Sequence, residues 1–409
     1  MNLAGKNLLI FEEALCGYDG HYYEWIKSVR EMHLARGAQV HIFANSTVLP
    51  AIQKEIGAVP LFTHNCWDGS YFHSNPLRRY QAIPLHNLRT YWAIAPVLRR
   101  FSQIDCILLP KVKIHQLVAW RILLGIHMPQ RIQRFAAQLN HSEGTYRPGN
   151  PQPVFKGTSH LNARILRSIY TRGGATRICF GSDSDQTSAE YFQLSGVPFA
   201  EFTTPRTATR IARRKDAAHP GKLHFLSPGS ARHEKGSDLL QSAILRHFEK
   251  YPDSQVRFTL QWPVDLKTVD GAIIRLDRRL LDDPRVTVIQ RSTSTEEYSA
   301  LLGSADCILA PYRWVPYFSR ISGAVVEAAT AGIPLIYTKG TWLARATERY
   351  GAGLAVHDGN VDSLAAAIHE MELEIGDFTR LAAERMEMAR KIHSPDAFLE
   401  TLWGEAAQS

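Results

Sequence analysis

The sequence predicts an α/β protein built from two doubly wound domains. Three observations carry the prediction. The chain has 409 residues, too many for one ordinary hydrophobic core. It opens on a strand, helix and strand in succession. A second such series starts near residue 221, after a stretch rich in proline and basic residues.

Asn7–Phe11 (NLLIF) is an unbroken apolar run of strand length, followed by a turn containing Gly17 and Gly20 and by a helical stretch, His21–Arg36. Gln39–Phe43 (QVHIF) is the next strand, and a βαβ unit of this kind implies a parallel sheet covered by helices. Asp105–Pro110 and Arg177–Gly181 read as further buried strands, with His115–Leu124 as a helix after the first. Glu143–Gly157 is rich in Gly, Pro and Asn and reads as a surface loop. Thr203–Pro220 combines prolines, threonines and the basic residues Arg206, Arg210, Arg213, Arg214 and Lys215, which suits a linker.

Beyond it the pattern restarts: strand Leu223–Ser227, helix Ser237–Phe248, strands Val256–Trp262 and Val286–Gln290, helix Thr295–Leu302, strand Cys307–Ala310, helix Gly323–Ala331 and strand Pro334–Tyr337. Leu364–Leu402 is mostly helical. The expected domains are residues 1–205, residues 206–385, and a final helical segment, 386–409, packing back on the first domain. In such sheets ligands bind beyond the carboxyl ends of the strands.

Composition narrows the function. With 45% hydrophobic and 21% charged residues the chain is that of a globular protein. The first apolar run is cut by Glu12 and Glu13 before it reaches the length of a signal core, and no run approaches the roughly 20 apolar residues of a spanning helix. The expected location is the cytoplasm, with peripheral contact at the inner membrane face. The five cysteines form no CxxC pair. His64, Cys66 and His73 surround Trp67 and Tyr71, but their spacing matches no standard zinc pattern and reads as a loop with an aromatic anchor.

The net charge of +8 is unevenly spread: residues 1–205 hold 21 Lys+Arg against 13 Asp+Glu, and residues 206–409 hold 26 of each. The first half is therefore the one that should favour anionic partners. Its basic residues, among them Arg78, Arg79, Arg89, Arg99 and Arg100, are scattered without RNA-binding aromatic motifs, which argues against nucleic acid.

Two segments of the second half place glycines and charges at strand-to-helix junctions, where backbone N–H groups can hold a phosphate. In Phe225–Asp238 (FLSPGSARHEKGSD), Gly229 allows close backbone approach while Arg232 and Lys235 can neutralise a diphosphate. In Ala310–Ile336, Ser322 and Gly323 open a helix, and Glu327, about one turn in, is a carboxylate in an apolar GAVVEAA run that needs a partner. Two vicinal ribose hydroxyls are one such partner, a nearby arginine another.

The ordered set, a Gly...Glu-Lys-Gly segment, the strand Ala-Asp-Cys-Ile-Leu-Ala-Pro and Ser-Gly...Glu-Ala...Ala-Gly-Ile-Pro, resembles the retaining glycosyltransferases of family 4, over roughly Phe225–Ile368. The resemblance implies the GT-B fold, two Rossmann-like domains facing across a cleft. It implies that Arg232 and Lys235 hold the diphosphate of a nucleotide sugar, that Ser322 and Gly323 offer it backbone N–H groups, that Glu327 binds the ribose, and that Gln290 and Arg291 flank the base. The family's acidic residue that contacts the transferred sugar falls at Ser319 here, and the family's arginine position falls at Ser230. These departures leave the donor sugar open.

In the first half, Gly20 and His21 fall where the family has a glycine-rich turn facing the donor phosphates. The family's histidine at a strand end falls by spacing at Arg134 and Phe135, and the nearest histidine is His141. Asp183-Ser-Asp185 has the spacing of a metal motif but follows a first-domain strand. The expected chemistry is metal-independent, since cationic groups and helix ends can stabilise a departing diphosphate. The expected partners are a nucleotide sugar and a glycan or lipid-linked acceptor. The alternatives are a catalytically silent sugar-nucleotide or glycan binder and a sugar-nucleotide epimerase of the same fold.

Overall fold

The computed structural model describes residues 1–18, 22–65, 67, 75–205, 211–213, 221–268 and 270–404. The chain forms two compact units. One comprises Met1–Thr145, Gln152–Thr207 and His393–Ser409, the other Tyr146–Pro151 and Ala208–Ile392. Most of the linker stretch, including Arg206, Arg210, Arg214 and Lys215, lies outside the described residues.

The first unit is built on β1 (Asn7–Glu12), β2 (Gln39–Asn45), β3 (Ala58–Phe62), β4 (Cys106–Leu109), β5 (Phe135–Gln138), β8 (Ile178–Ser182) and β9 (Phe199–Glu201). Between the fifth and eighth strands lie β6 (Gly144–Arg147) and β7 (Asn150–Phe155), which pair with each other as a small separate sheet. The main sheet is parallel, in the order β3-β2-β1-β4-β5-β8-β9. Both faces are covered, so alternate residues of one strand feed two cores: Leu9 and Phe11 one of them, Leu8 and Ile10 the other. Helix Pro395–Trp403 belongs to this unit. It adds Phe398, Leu399 and Leu402 to the second of these cores, and the Phe398 ring packs at 5.6 Å from both Trp25 and Phe202.

The second unit is built on β10 (His224–Ser227), β11 (Arg257–Gln261), β14 (Val286–Ile289), β15 (Cys307–Ala310), β16 (Leu335–Thr338) and β17 (Gly353–Val356), with β12 (Leu266–Lys267) and β13 (Ile273–Ile274) as a small antiparallel pair. The main sheet is again parallel, in the order β14-β11-β10-β15-β16-β17. In both units the first strand is central and the chain turns back between the first and fourth strands. That switch point is where doubly wound sheets open a crevice for ligands.

One expectation is corrected. Glu143–Gly157 is no plain loop, because it holds the β6–β7 pair. Its strands are mostly exposed and carry no apolar run, so their composition resembles a loop while Gly149, at φ +74°, makes the turn between them.

Candidate functional site

Beyond β10 the chain turns at Gly229 and descends through the short helical turn His233–Lys235 before helix Ser237–Lys250 begins. Both glycines of this loop are required by geometry. A side-chain carbon on Gly229 would lie 3.0 Å from the Lys235 amine, and one on Gly236, at φ +66°, would lie 2.0 Å from the Pro311 carbonyl oxygen. Gly236 thus lets the loop after β10 press against the end of β15, and Gly229 leaves room for the amine.

The Lys235 amine is half-buried, 3.4 Å from the Pro228 carbonyl oxygen and 5.9 Å from the Tyr312 ring centre. Burial, assisted by Arg232 and Arg320, lowers its pKa to about 8, against the opposing pull of Glu234 and Glu327. Three cations therefore act on one small volume. Arg320 is one that the sequence did not single out: its guanidinium pairs with Glu234 at 2.8 Å and lies 4.3 Å from the Tyr317 ring centre, while Arg232 reaches the same carboxylate at 3.5 Å. It follows directly on buried Ser319, and it supplies a cation close to the loop whose position 230 carries serine.

Across Tyr312 lies the start of helix Gly323–Ala331, with Ser322 as its N-cap. Tyr312 is buried, and a hydrogen bond with Ser322 partly offsets the rise in its pKa that burial causes. The Ser322 carbonyl accepts from the N–H groups of Val325 and Val326, each at 3.2 Å, so the positive end of this helix points out at residues 322–324. Lys235 and Ser322 are thus both neighbours of one ring.

Glu327 is half-buried, and its Oε2 accepts from the Tyr298 hydroxyl at 2.7 Å. Tyr298 stands in helix Thr295–Ser304 next to Glu297, and Glu297 holds Arg291 through two hydrogen bonds of 2.6 and 2.7 Å. Consecutive residues of one helix thereby fix Glu327 and Arg291. Val288, Ile289, Gln290 and Arg291 line a pocket of about 340 Å³ beyond β14, and Gln261 donates to the Arg291 carbonyl at 3.1 Å. The second unit therefore gathers Gly229, Arg232, Lys235, Ser319, Ser322, Gly323 and Glu327 beyond β10 and β15, with Gln290 and Arg291 one strand further out.

In the first unit Gly20 and His21 lie outside the described residues, as do Cys66, Tyr71 and His73. His141 follows the carboxyl end of β5, three residues past its last residue. Its carbonyl accepts from Tyr191 at 2.8 Å, and its ring stands edge-on to Trp67 at 5.4 Å. Trp67 donates to the Tyr22 hydroxyl at 2.8 Å and lies under the Lys113 amine at 4.7 Å, and Lys111 approaches the Tyr22 ring at 5.3 Å. Nothing in the sequence marked Tyr22, Lys111 or Lys113, because they meet only where β1 and β4 end side by side.

Two acids complete this edge. Glu12, at the end of β1, is buried, and desolvation raises its pKa to about 8. Asp183, just past β8, is raised to about 6 for the same reason, with Lys111 pulling both back. Asp183 is therefore a half-buried acid beside the first sheet, and its N–H donates to the Asn140 side chain at 3.1 Å. Among the described residues no helix is long and apolar enough to cross a membrane.

Comparison with known proteins follows the same division. The family model described as glycosyl transferases group 1 matches residues 222–372, the span that carries both strand-to-helix junctions described above. No curated protein sequence matches the chain. Among solved structures, sucrose-phosphate synthase from Thermosynechococcus elongatus superposes with a TM-score of 0.61 at 15% identity, covering 96% of each chain. HepE of Anabaena in complex with UDP and glucose gives 0.62 at 14% identity, over 99% of this chain and 100% of the other. A structure described as trehalose-6-phosphate from E. coli bound with UDP-2-fluoro glucose gives 0.65 at 12% identity, over 99% of both. The chain thus has the two-domain α/β fold of the GT-B glycosyltransferases, and its residues 222–372 are similar to the glycosyl transferases group 1 family.

Proposed function

We propose that the chain is a glycosyltransferase that moves a sugar from a nucleoside diphosphate sugar, held by the second unit, to a glycan or lipid-linked acceptor held by the first. The observation that carries this is the gathering, around Tyr312, of the Lys235 amine, the amino end of helix Gly323–Ala331 and the Glu327 carboxylate. A diphosphate needs positive charge and N–H donors, and a ribose needs a carboxylate held nearby. Arg232, Lys235 and Arg320 stabilise the negative charge that develops on the leaving diphosphate, so transfer proceeds without a metal ion at this site. Glu327, oriented by Tyr298, takes the ribose hydroxyls, and the pocket at Val288–Arg291 takes the base.

His141, Trp67 and Tyr22 offer aromatic faces and polar edges to a sugar, and Lys111 and Lys113 add charge for an anionic acceptor. The outer face of helix Pro76–Arg99 supports an acceptor on an anionic lipid surface. It exposes Leu77, Tyr80, Leu85, Leu88 and Trp92 beside Arg78, Arg89 and Arg99, the combination that seats amphipathic helices in an interface. The finer reading is a retaining transferase of bacterial cell-surface polysaccharide synthesis, working at the inner membrane face.

The test is a thermal-shift screen of UDP-, GDP- and ADP-sugars followed by a transfer assay. UDP-glucose comes first, since HepE and the E. coli protein were solved with uridine nucleotides. A donor present at about 100 times its Kd should stabilise by about 2.7 kcal/mol. If no nucleotide sugar shifts the melting temperature, the donor site is wrong. Binding with neither transfer nor hydrolysis favours the silent binder, which Ser319 in place of an acid already suggests. An altered sugar released without acceptor favours the epimerase.

A further inference from the structure

The carboxyl edge of the first sheet holds a second cluster, distinct from the residues given roles above. Glu13 follows β1, His64 follows β3, and His86 projects from the inner face of helix Pro76–Arg99. Both imidazoles are buried, and Glu13 is partly so. The Glu13 Oε2 atom lies 3.0 Å from His86 Nε2 and 3.8 Å from His64 Nε2, and the three ligand atoms all fall within 4.8 Å of one another. Ligands at the usual zinc bond lengths of about 2.0–2.1 Å in a tetrahedron stand roughly 3.3 Å apart, between the two separations found here.

The cluster is built in advance. Asn45, at the end of β2, donates to the carbonyls of both Glu13 (2.9 Å) and His64 (3.3 Å), tying the two ligand-bearing loops together. The Gln116 amide donates to Glu13 Oε1 at 2.8 Å, leaving Oε2 turned toward the imidazoles, and lies 3.2 Å from His86 Nε2. The Thr90 hydroxyl, one turn beyond His86, stands 2.9 Å from His64 Nε2, and a water can complete a four-coordinate site. Two imidazoles and a carboxylate suit zinc or ferrous iron, not magnesium or calcium, which take oxygen ligands, and such a site generally holds Zn²⁺ more tightly than Fe²⁺.

We infer that Glu13, His64 and His86 bind one zinc ion, which pins helix Pro76–Arg99 to the ends of β1 and β3. The sequence hides this set. His64 sits in a run with Cys66 and His73 that has no zinc spacing, and its partners come from residues 51 positions before it and 22 after it. The site lies in the first unit and does not depend on the transfer reading, nor on how the donor diphosphate is stabilised in the second.

The full chain, stripped with a chelator and freed of it, is titrated with Zn²⁺ against a competing chromophoric chelator, and in parallel with Co²⁺ while the visible spectrum is recorded. The expected result is one ion per chain, an intense visible band from four-coordinate Co²⁺ that Zn²⁺ abolishes, and no competition by Mg²⁺ or Ca²⁺. Glu13→Gln keeps the side chain's shape and hydrogen-bonding capacity, and should lose the band while retaining the far-UV circular dichroism spectrum. Gln116→Ala, which removes a group that only orients Glu13, should weaken Zn²⁺ binding about 10-fold. No zinc uptake by the wild type would show the cluster to be a hydrogen-bond network only and overturn the assignment. So would a Co²⁺ band that survives in Glu13→Gln and in the His64→Ala/His86→Ala double variant.

Discussion

The two units share one strand plan and use its switch point in opposite ways. Each carries a desolvated group there whose pKa lies at about 8, reached from opposite directions: the Glu12 carboxyl is pushed up, the Lys235 amine pushed down. At neutral pH the first unit therefore hides an acid in its neutral form, while the second presents a cation that is costly to bury. A desolvated charge persists only where something repays its desolvation, and in the function proposed above the donor diphosphate is what does so. The difference teaches that the second unit crowds cations around Lys235, whereas the first sets aromatic faces with basic residues at their margins.

The comparison breaks most sharply at Lys235. Lys235→Ala should lower kcat for sugar transfer or donor hydrolysis about 100- to 1,000-fold, the cost of removing one group that stabilises a developing anion. An unchanged rate in a folded variant would remove the second unit's distinction. Next is pH. The diphosphate favours charged Lys235, so donor affinity should be flat below pH 8 and fall above it by up to tenfold per unit, because binding then requires proton uptake. Isothermal titration at pH 7, 8 and 9 reads this directly, and Lys235→Arg, which stays charged, should flatten the profile.

Glu12 gives a linkage of the same sign, read in stability rather than in binding, as pH rises. Its folded pKa lies above its unfolded one, so the folded state binds the extra proton between about pH 4.5 and 8 and stability should fall across that window. Glu12→Gln should abolish the fall, as measured by urea midpoints at pH 5 and 8. Smaller still, Tyr298→Phe removes the hydroxyl that orients Glu327 and should weaken donor binding by about 1.5 kcal/mol, roughly tenfold in Kd. The smallest expected effect on stability is at Trp92. Its substitution by serine, on an exposed face, should change stability by less than about 0.5 kcal/mol yet reduce binding to anionic vesicles. Equal binding to neutral vesicles would dismiss the electrostatic part of that reading.

Much of the second unit was legible in the sequence because its signals are local. Cys307–Ala310 and Gly323–Ala331 are read at their structural bounds, since an unbroken apolar run and a glycine-to-glycine helix announce themselves within ten residues. Lys235, Ser322 and Glu327 stand within such signals. Arg320 was missed because it stands in the loop after β15, and a motif read along the chain does not register a charge supplied by another loop. The β6–β7 pair was missed because its turn residues outweigh its few apolar ones. The first unit's groups are less legible for a related reason. Tyr22, Trp67, Lys111, Lys113 and His141 each look like ordinary surface residues, and only the parallel order of β1, β4 and β5 brings their loops together.

The return of the chain to its first unit has a consequence for synthesis. Phe398, Leu399 and Leu402 complete a core whose other members precede Pro205, and some 185 residues (208–392) separate the two contributions. At ribosomal rates of about 5–20 residues per second, that core waits roughly 10–40 s for its last apolar layer. During that interval the emerging protein exposes the flank formed by Trp25 and Phe202. The first half to be made is thus the last to be finished, and a nascent chain stalled before residue 393 would present a sticky surface to chaperones and proteases rather than a free-standing domain.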